Sequence, residues 1–270
     1  MTRFHTRASL RTDIERLGIR PGDIVMVHAA MRRVGRLLNG PDALIAALRD
    51  AVGAGGTVMA YVDWDAAYDE LLDRGGRVDA AWREHVPPFN PCASRAARDN
   101  GVLAEFLRTT PGARRSGNPG ASVAAIGAQA IWLTDDHPID YGYGPGSPLA
   151  KLVQAAGKVL MVGAPFDTMT LLHHAEHLAR IPGKRVRRCE VPFALPDGDV
   201  RWRMVEEFDT AQPIVDGLAD DYFADIVGAF LALGRGIQGP VGDAPSILVD
   251  AVAMCRFAVD WLEQQAGGGA

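Results

Sequence analysis

The sequence predicts an α/β fold in one domain, residues 1–266, followed by a disordered glycine-rich tail at residues 267–270. Short apolar runs alternate with amphipathic segments through much of the chain, which is typical of helices packed on a β-sheet. The 270 residues are 48% hydrophobic and 23% charged, which allows one substantial core. No internal repeat or linker divides the chain.

The N-terminal segments follow a helix–strand–helix–strand order. A helix is predicted over residues 8–18 and a strand over Ile24–His28, because a Pro-Gly-Asp turn separates an amphipathic run from a short apolar one. A second helix over residues 40–52 and a strand over Thr57–Val62 follow. This order predicts a largely parallel sheet.

The middle of the chain begins with a break in periodicity. Residues 63–100 mix aromatic, charged and proline residues, which indicates a long functional loop or lid. A helix over Val102–Arg108 and a polar turn over Arg114–Ser122 follow. A buried strand over Val123–Ile126 and a helix over residues 147–156 complete this part.

The next strand, Val159–Val162, leads through a Gly-Ala-Pro turn into a helix that carries three histidines. Asp167 or Thr168 is expected to cap this helix, because a short oxygen-bearing side chain accepts from the free amides of a first turn. Open α/β sheets place their active sites just past the carboxyl ends of strands. This segment is therefore the first candidate for function.

The C-terminal third has a different pattern. Residues 185–193 and 200–208 alternate in polarity around a Pro-Asp-Gly turn, which predicts a β-hairpin. Two long helices are predicted to end the chain, over residues 214–233 and 244–264.

Composition argues against several classes of protein. The three cysteines are far apart and form no CxxC pair, so neither a disulfide framework nor a cysteine-based zinc site is predicted. The net charge of -5 argues against nucleic acid as a partner. No apolar run reaches membrane-spanning length, and the N-terminus lacks a signal-peptide core. We expect a cytoplasmic protein with no membrane partner.

The three histidines admit several chemical roles. His173, Glu176 and His177 lie three or four residues apart and share a helix face, whereas His174 faces elsewhere. Metal binding is one role, although the spacing is not HExxH. A general base whose tautomer is fixed by a carboxylate is another. Alternatively, these are surface or packing residues.

Two acidic segments have similar alternatives. In EEFDT, Glu207 and Asp209 point the same way along a strand, where they can orient a histidine or bind an amine; the alternative is a solvated strand end. Asp63, Trp64 and Tyr68 combine carboxylate with aromatic faces, which suits a sugar bearing ammonium groups. An ordinary acidic loop is the alternative there.

The turn RRSGNPGAS contains Ser116 and Ser122, and its amides and hydroxyls suit a phosphate or a thioester. It matches neither the P-loop nor the GxGxxG pattern, so no nucleotide site of those kinds is predicted. No GxSxG nucleophile elbow is present, and no cysteine lies in a recognisably reactive setting, so covalent catalysis is not predicted.

Eight segments, in chain order and covering almost the whole chain, resemble the aminoglycoside 3-N-acetyltransferase family. They are VHAAMRRVG (27–35), DALIAALRDAVGAGGTVMAYVDW (42–64), PFNP (88–91), GVLAEFLRTTPGARRSGNPGASVAAIG (101–127), GSPLAKLVQAAGKVLMVG (146–163), TLLHHAEHLARIPGKR (170–185), EEFDT (206–210) and GPVGDAPSILVDA (239–251).

The resemblance implies one α/β domain around a central mixed sheet, distinct from the commoner GNAT acetyltransferases. It implies transfer of acetyl from acetyl-CoA, without a metal, to the 3-amino group of the 2-deoxystreptamine ring of aminoglycoside antibiotics, which gives resistance. The family's catalytic histidine maps onto His173 in LHHAE (172–176), and its carboxylates near the amine map onto Glu207 and Asp209. Glu176 completes the expected catalytic set.

The resemblance also implies where coenzyme A binds. The expected residues are Ala29, Ala30, Met31, Arg32, Val34, Gly35, Arg115, Ser116 and Ser122. Many relatives have two serines where this chain has Ala29 and Ala30, so hydroxyl contacts to the cofactor are lost while backbone amides remain. The candidate contacts to the cationic aminoglycoside are Asp63, Trp64, Tyr68, Glu105 and Glu206.

The expected chemistry is direct transfer in a ternary complex of a monomer or homodimer. An ammonium has no lone pair, so His173 removes its proton, held by Glu207 or Asp209. Backbone amides near Ser116 are expected to stabilise the thioester oxyanion. The alternatives are an N-acetyltransferase for another amino sugar or amine metabolite, a non-catalytic binder of cationic drugs, and a zinc hydrolase.

Overall fold

The computed structural model describes residues 4–64, 66 and 68–267. The helices are α1 (Arg7–Arg16), α2 (Gly40–Val52), α3 (Gly101–Thr109), α4 (Ala130–Thr134), α5 (Pro148–Gln154), α6 (Leu171–Leu178), α7 (Tyr222–Ala232) and α8 (Ala251–Gly267). The strands are β1 (Ile24–Ala29), β2 (Thr57–Tyr61), β3 (Arg114–Arg115), β4 (Val123–Gly127), β5 (Lys158–Val162), β6 (Val186–Ala194), β7 (Val200–Phe208), β8 (Ile237–Val241) and β9 (Ala244–Asp250). Residues 268–270 of the predicted tail lie outside the described residues.

Seven strands form one mixed sheet in the order β3-β4-β2-β1-β5-β9-β8. β1 is parallel to β2 and β5, and the other four pairs are antiparallel. The α/β class with a central mixed sheet is thus confirmed, and the largely parallel sheet predicted from the strand order is wrong. The reason lies after β2, where the chain returns through a long loop and β4 starts opposite the end of β2, with Val123 facing Tyr61.

The C-terminal region differs from the prediction in one element. Residues 244–250 form β9, which pairs with β5 and β8, so the helix predicted over 244–264 begins only at Ala251. Ile247, Leu248 and Val249 are all buried. A short continuous apolar run fits a buried strand as well as a buried helix, and its periodicity does not separate the two. Likewise, α7 begins at Tyr222, eight residues later than predicted.

Side chains on the sheet alternate between two apolar layers. On β1, Val25 and Val27 join the layer that α1, α2 and α3 cover, while Met26 joins the layer that α4 to α8 cover. Leu171 and Leu172 anchor α6 in this second layer. No helix in the described part of the chain is long and apolar enough to cross a membrane.

The hairpin of β6 and β7 is confirmed, and it forms a second, separate sheet. The long loop after β2 packs on it. Phe89 donates its amide to Pro192 O at 2.7 Å, and its ring meets that of Phe193 edge-on at 6.2 Å. Tyr68, Val78 and Val86 form a small apolar cluster of their own. The loop and the hairpin therefore build one wall beside the carboxyl ends of the central strands.

The helix α6 begins later in the chain than the sequence predicts. Gly163 adopts φ +62°, and a Cβ there would lie 3.0 Å from the side chains of Arg33 and Ala244. A single 3-10 turn over Phe166–Thr168 follows, and α6 starts after Thr170 with no side-chain cap. The prediction that Asp167 or Thr168 caps the helix is therefore wrong, because the chain makes this extra turn first.

Candidate active site

A cavity of about 220 Å³, called cavity A, lies between the end of β2 and the hairpin. Its charged lining residues are Asp63, Asp69, Arg187 and Glu207, and its aromatic lining residues are Tyr61, Trp64, Tyr68, Tyr143 and Phe208. Three carboxyl groups against one guanidinium make the cavity attractive to cations, and the rings offer flat apolar faces. The predicted acceptor residues Asp63, Trp64 and Tyr68 thus meet in one place.

Asp63 occupies an unusual position in cavity A. Its backbone has φ +51°, in the left-handed region that is uncommon for residues other than glycine. Its Oδ1 accepts from Trp64 N at 2.7 Å, and its backbone carbonyl accepts from Arg115 and from Ser122 Oγ. Burial raises the pKa of the Asp63 carboxyl to about 7. Its charge therefore changes near neutral pH.

Arg115 and Ser122 hold the wall of cavity A. The Arg115 guanidinium donates to Ser94 O at 2.5 Å, to Ser122 Oγ at 3.1 Å and to the carbonyl of Asp63, and it lies 5.0 Å from the centre of the Phe89 ring. Burial lowers the pKa of Arg115 to about 10. The polar atoms of both residues are thus used inside the protein, and their contact with coenzyme A stays a prediction.

Ser116 is fully buried and also differs from its predicted role. His137 Nε2 donates to Gly142 O at 2.6 Å, so Nδ1 accepts from Ser116 Oγ at 2.8 Å, and that hydroxyl accepts in turn from Val123 N. The Ser116 amide donates to Val123 O at 3.0 Å. Neither the hydroxyl nor the amide is therefore free to stabilise an oxyanion.

A second cavity of about 280 Å³, called cavity B, lies at the carboxyl ends of β1 and β2. Ala29 and Ala30 line it, and so does Tyr61, which also lines cavity A. One phenol ring is thus shared by the two cavities. The Tyr61 and Tyr143 hydroxyls are 2.7 Å apart, and both lie 2.9 Å from Gly120 O.

The other predicted cofactor residues of this segment, Met31, Arg32, Val34 and Gly35, do not line cavity B. Met31–Arg33 form a single 3-10 turn, in which Arg32 is exposed. Val34 is fully buried in the core. Gly35 has φ +92° and passes so close to Asp243 that a Cβ would meet its carboxylate at 2.2 Å. These two residues shape the loop and do not line the cavity.

His28 also lines cavity B, and the sequence analysis gave it no role. Its Nε2 is buried with no hydrogen-bond partner in the part of the chain that the structure describes. Burial lowers the pKa of His28 to about 4, so the ring is neutral at physiological pH.

His173 heads a chain of three polar side chains. Its Nδ1 lies 2.7 Å from Glu176 Oε2, and the hydroxyl of Tyr222 donates to Glu176 Oε1. A carboxylate only accepts, so His173 Nδ1 carries the proton and Nε2 has the free lone pair. Glu176 is 3% exposed, and its two oxygens are held from opposite sides. This is the arrangement of an oriented general base.

The rings of Tyr143 and Phe223 flank His173, each with its centre 4.8 Å from the imidazole centre. His173 lines a third cavity, called cavity C, together with Glu176 and Tyr222. Thr210 lines both cavity C and cavity A. Since Tyr143 also lines cavity A, the imidazole lies next to the acidic cavity.

The predicted pairing of His173 with Glu207 or Asp209 is wrong. Glu207 Oε1 lies 2.9 Å from His177 Nε2, and Asp209 Oδ1 accepts from Ala211 N at 3.0 Å. Glu176 lies three positions along the same helix and is therefore a closer neighbour of His173 than Glu207 or Asp209. Glu176 is thus the carboxylate that orients the imidazole. In the part of the chain described, no group of three or more His, Cys, Asp and Glu side chains is arranged to hold a metal ion.

Two predicted acceptor contacts lie elsewhere. Glu105 accepts from Arg95 at 2.5 Å and from Arg108 at 2.6 Å, and this ion-pair cluster lowers the pKa of Glu105 to about 2. Glu206 accepts from the Tyr141 hydroxyl and from Arg188 Nε at 2.6 Å. Both carboxylates are thus occupied by neighbours, and neither residue lines cavity A.

Tyr61, Tyr143, Tyr222 and Phe223 belong to the site but received no role in the sequence analysis. They come from three separate segments that meet only in the fold, since Tyr222 and Phe223 are adjacent in one helix. The predicted helix over residues 214–233 placed Tyr222 inside a helix rather than at its start, where the structure has it, and nothing in the sequence connects Tyr222 with Glu176.

The chain matches known proteins over nearly its whole length. Residues 26–263 match the family model for aminoglycoside 3-N-acetyltransferase. Aminoglycoside N(3)-acetyltransferase III of Pseudomonas aeruginosa is 47% identical over 267 residues, covering 98% of this chain and 96% of that protein. Aminoglycoside N(3)-acetyltransferase VIII of Streptomyces fradiae is 44% identical over 274 residues, covering 98% and 94%.

Solved structures agree with this match. AAC-IIIb, in a binary complex with CoASH, is 67% identical and superposes with a TM-score of 0.97, covering 99% of this chain and 100% of that one. AAC-VIa bound to sisomicin is 38% identical with a TM-score of 0.92, covering 98% and 100%. Because its sequence and its fold agree with those of these proteins over nearly the whole length, the chain belongs to the aminoglycoside 3-N-acetyltransferase family and is an acyltransferase.

Proposed function

We propose that this chain transfers the acetyl group of acetyl-CoA to the 3-amino group of the 2-deoxystreptamine ring of aminoglycosides, and that His173 is the general base. The observation that carries the proposal is the His173–Glu176–Tyr222 chain beside an acidic, aromatic cavity. The named activities of the relatives and the complexes of similar structures with CoASH and sisomicin support the two ligands.

Cavity A suits the aminoglycoside. An amino sugar carries several ammonium groups on compact rings, and this cavity offers Asp63 and Glu207, together with Asp69 paired to Arg187 at 2.9 Å, beside flat aromatic faces. Carboxylates fix ammonium groups through charge-assisted hydrogen bonds, which orient the ring as well as hold it. Holding the reacting amine in place supplies a large part of the rate in a two-substrate reaction.

Cavity B suits the thioester end of acetyl-CoA. Ala29 and Ala30 leave room for a chain close to the backbone, and the exposed guanidinium of Arg32 follows directly for a phosphate. A shallower groove that includes Arg33 continues from cavity B through Ala164 and Pro165. The acetyl carbonyl would then meet the amine near Tyr61, which both cavities share.

The transfer needs two protons removed from the nitrogen and one bond exchanged. His173 Nε2 accepts the first proton from the ammonium and releases it to solvent, and the neutral amine then attacks the carbonyl carbon while Nε2 accepts the second proton from the attacking nitrogen. The new N–C bond forms, the C–S bond breaks, and the imidazolium passes this second proton to the leaving thiolate. Glu176 stabilises the imidazolium, and Tyr222 keeps Glu176 in place. Direct transfer between two bound substrates requires no acyl-enzyme.

The test compares His173→Gln and Tyr222→Phe with the wild type, with sisomicin and acetyl-CoA as substrates. We expect His173→Gln to lower kcat by a factor of roughly 100 to 10,000, the usual contribution of a general base, while the Kd for coenzyme A stays unchanged. Tyr222→Phe should lower kcat by a smaller factor. Near-normal turnover by His173→Gln would exclude His173 as the base.

The product identifies the acceptor position. Mass spectrometry of sisomicin after reaction should show one added acetyl group, and fragmentation should place it on the 3-amino nitrogen. Acetylation at another nitrogen, or turnover of other amino sugars with no turnover of deoxystreptamine drugs, would assign the chain to the alternative N-acetyltransferase activity.

A further inference from the structure

His177, the last of the three histidines of α6, has a partner of its own. The side chain of His177 is only 6% exposed, and its Nε2 lies 2.9 Å from Glu207 Oε1 on β7. Glu207 lines cavity A, whereas His177 does not. His177 therefore lies directly behind a carboxylate that faces the cavity.

The two oxygens of Glu207 are held unequally. Oε1 accepts from His177 Nε2 and from Phe208 N at 2.7 Å, whereas Oε2 accepts from Tyr143 N at the longer distance of 3.3 Å. A hydrogen bond of 3.3 Å is weak, so Oε2 retains capacity for a further donor. The imidazole thus fixes one oxygen and leaves the other available to a ligand.

The His177 ring itself is held in one orientation. The ring of Phe208 packs on it with centres 4.4 Å apart, and the ring of Tyr141 meets it edge-on at 5.9 Å. Gly144 approaches so closely that a Cβ there would lie 2.9 Å from His177 Nδ1. A ring confined on three sides presents its Nε2–H in a fixed direction.

We propose that His177 is a positioning residue for the acceptor: it holds Glu207 in the orientation in which Oε2 binds an ammonium group of the aminoglycoside. The proposal rests on the proposed function, since it concerns how that substrate is held. The proposal gives His173 and His177 different roles. His173 acts on the reacting amine, and His177 acts through Glu207 on the binding of the same molecule.

The test uses three substitutions that keep or remove the donor. His177→Gln retains an N–H at a similar reach, His177→Asn retains it at a shorter reach, and His177→Leu removes it. Steady-state kinetics are measured with sisomicin and with acetyl-CoA, and thermal unfolding checks that each variant is folded. If His177→Leu does not fold, the comparison of Gln with Asn carries the test.

We expect His177→Leu to raise the KM for sisomicin about tenfold, the usual effect of losing a hydrogen bond to a charged group. The KM for acetyl-CoA should not change, and kcat should change by less than the KM for sisomicin. His177→Gln should recover most of the loss and His177→Asn little. In a Glu207→Gln background, His177→Leu should add no further rise in KM.

Three results would overturn the proposal: an unchanged KM for sisomicin in His177→Leu, an equal rise in the KM for acetyl-CoA, or additive effects with Glu207→Gln. Failure of the proposed function looks different, because the wild type would then release no thiol with sisomicin. In that case calorimetric titration of sisomicin into wild type and His177→Leu still decides the matter, and equal Kd values would contradict the role of His177.

Discussion

At the residue scale, the charge on Asp63 is set by its surroundings. Burial raises its pKa to about 7, so the carboxyl is protonated below that pH and ionised above it. An ionised Asp63 attracts ammonium groups and a protonated one does not. We therefore expect the KM of the wild type for sisomicin to fall as pH rises through about 7, and Asp63→Asn to lose this step.

The raised pKa of Asp63 also makes the unfolding free energy depend on pH. The folded state keeps the Asp63 proton up to about pH 7, whereas the unfolded chain releases it near 3.8, the ordinary pKa of an aspartate. The unfolding free energy should therefore fall as pH rises between these values, and Asp63→Asn should have a flatter profile. If the wild type and Asp63→Asn had the same pH profile of KM for sisomicin and the same pH profile of unfolding free energy, the assigned pKa would be contradicted.

Single residues also show the limits of reading a sequence. The spacing of His173 and Glu176 is local, so the helix face that brings them together was predictable. The partner of Glu207 was not, because the distance between α6 and β7 depends on how the hairpin packs. The hydroxyl of Ser116 faces His137 rather than a ligand for the same reason. Contacts between distant segments are fixed only by the fold.

At the scale of elements, the contact of the long loop with the hairpin depends on a glycine. Gly76 has φ +73°, and a Cβ there would lie 2.0 Å from Arg188 O. Its carbonyl accepts from Glu190 N at 2.7 Å. We expect Gly76→Ala to push the loop off the hairpin, to lower the unfolding free energy by about 2 kcal/mol and to raise the KM for sisomicin.

Gly234→Ala is the matched control for Gly76→Ala. Gly234 has nearly the same backbone angle, φ +70°, but an added Cβ has no atom within 4 Å. Gly234→Ala therefore measures the effect of backbone strain alone, without a collision of the added Cβ. Equal effects of the two substitutions on the KM for sisomicin would show that the loop contact does not shape cavity A.

Most helices and strands were predictable, and the exceptions have a physical cause. The amphipathic helices and the alternating hairpin strands carry their period in the sequence. The run at 244–250 is apolar without a period, and only its pairing with β5 and β8 makes it a strand. The direction of β4 was likewise decided by how the chain returns from the long loop.

At the scale of the whole molecule, charge favours the proposed substrate. The net charge is -5, and three carboxyl groups converge on cavity A. A polycationic substrate should therefore bind more weakly as salt screens these charges, with the KM for sisomicin rising several-fold between about 0.05 and 0.2 M NaCl. The KM for acetyl-CoA, an anion, should not rise in parallel.

Two substitutions separate the local field from the net charge. Asp69→Asn removes a charge that lines cavity A, and Asp197→Asn removes one in the hairpin turn, away from the cavity. The salt dependence of the KM for sisomicin should weaken in the first and persist in the second. The same weakening in both would assign the effect to net charge alone.

The hairpin of β6 and β7 shares no strand pairing with the seven-stranded sheet, yet it contributes Arg187, Glu207 and Phe208 to cavity A. Substitutions in the hairpin can therefore alter the lining of cavity A while the strands that line cavity B keep their side chains.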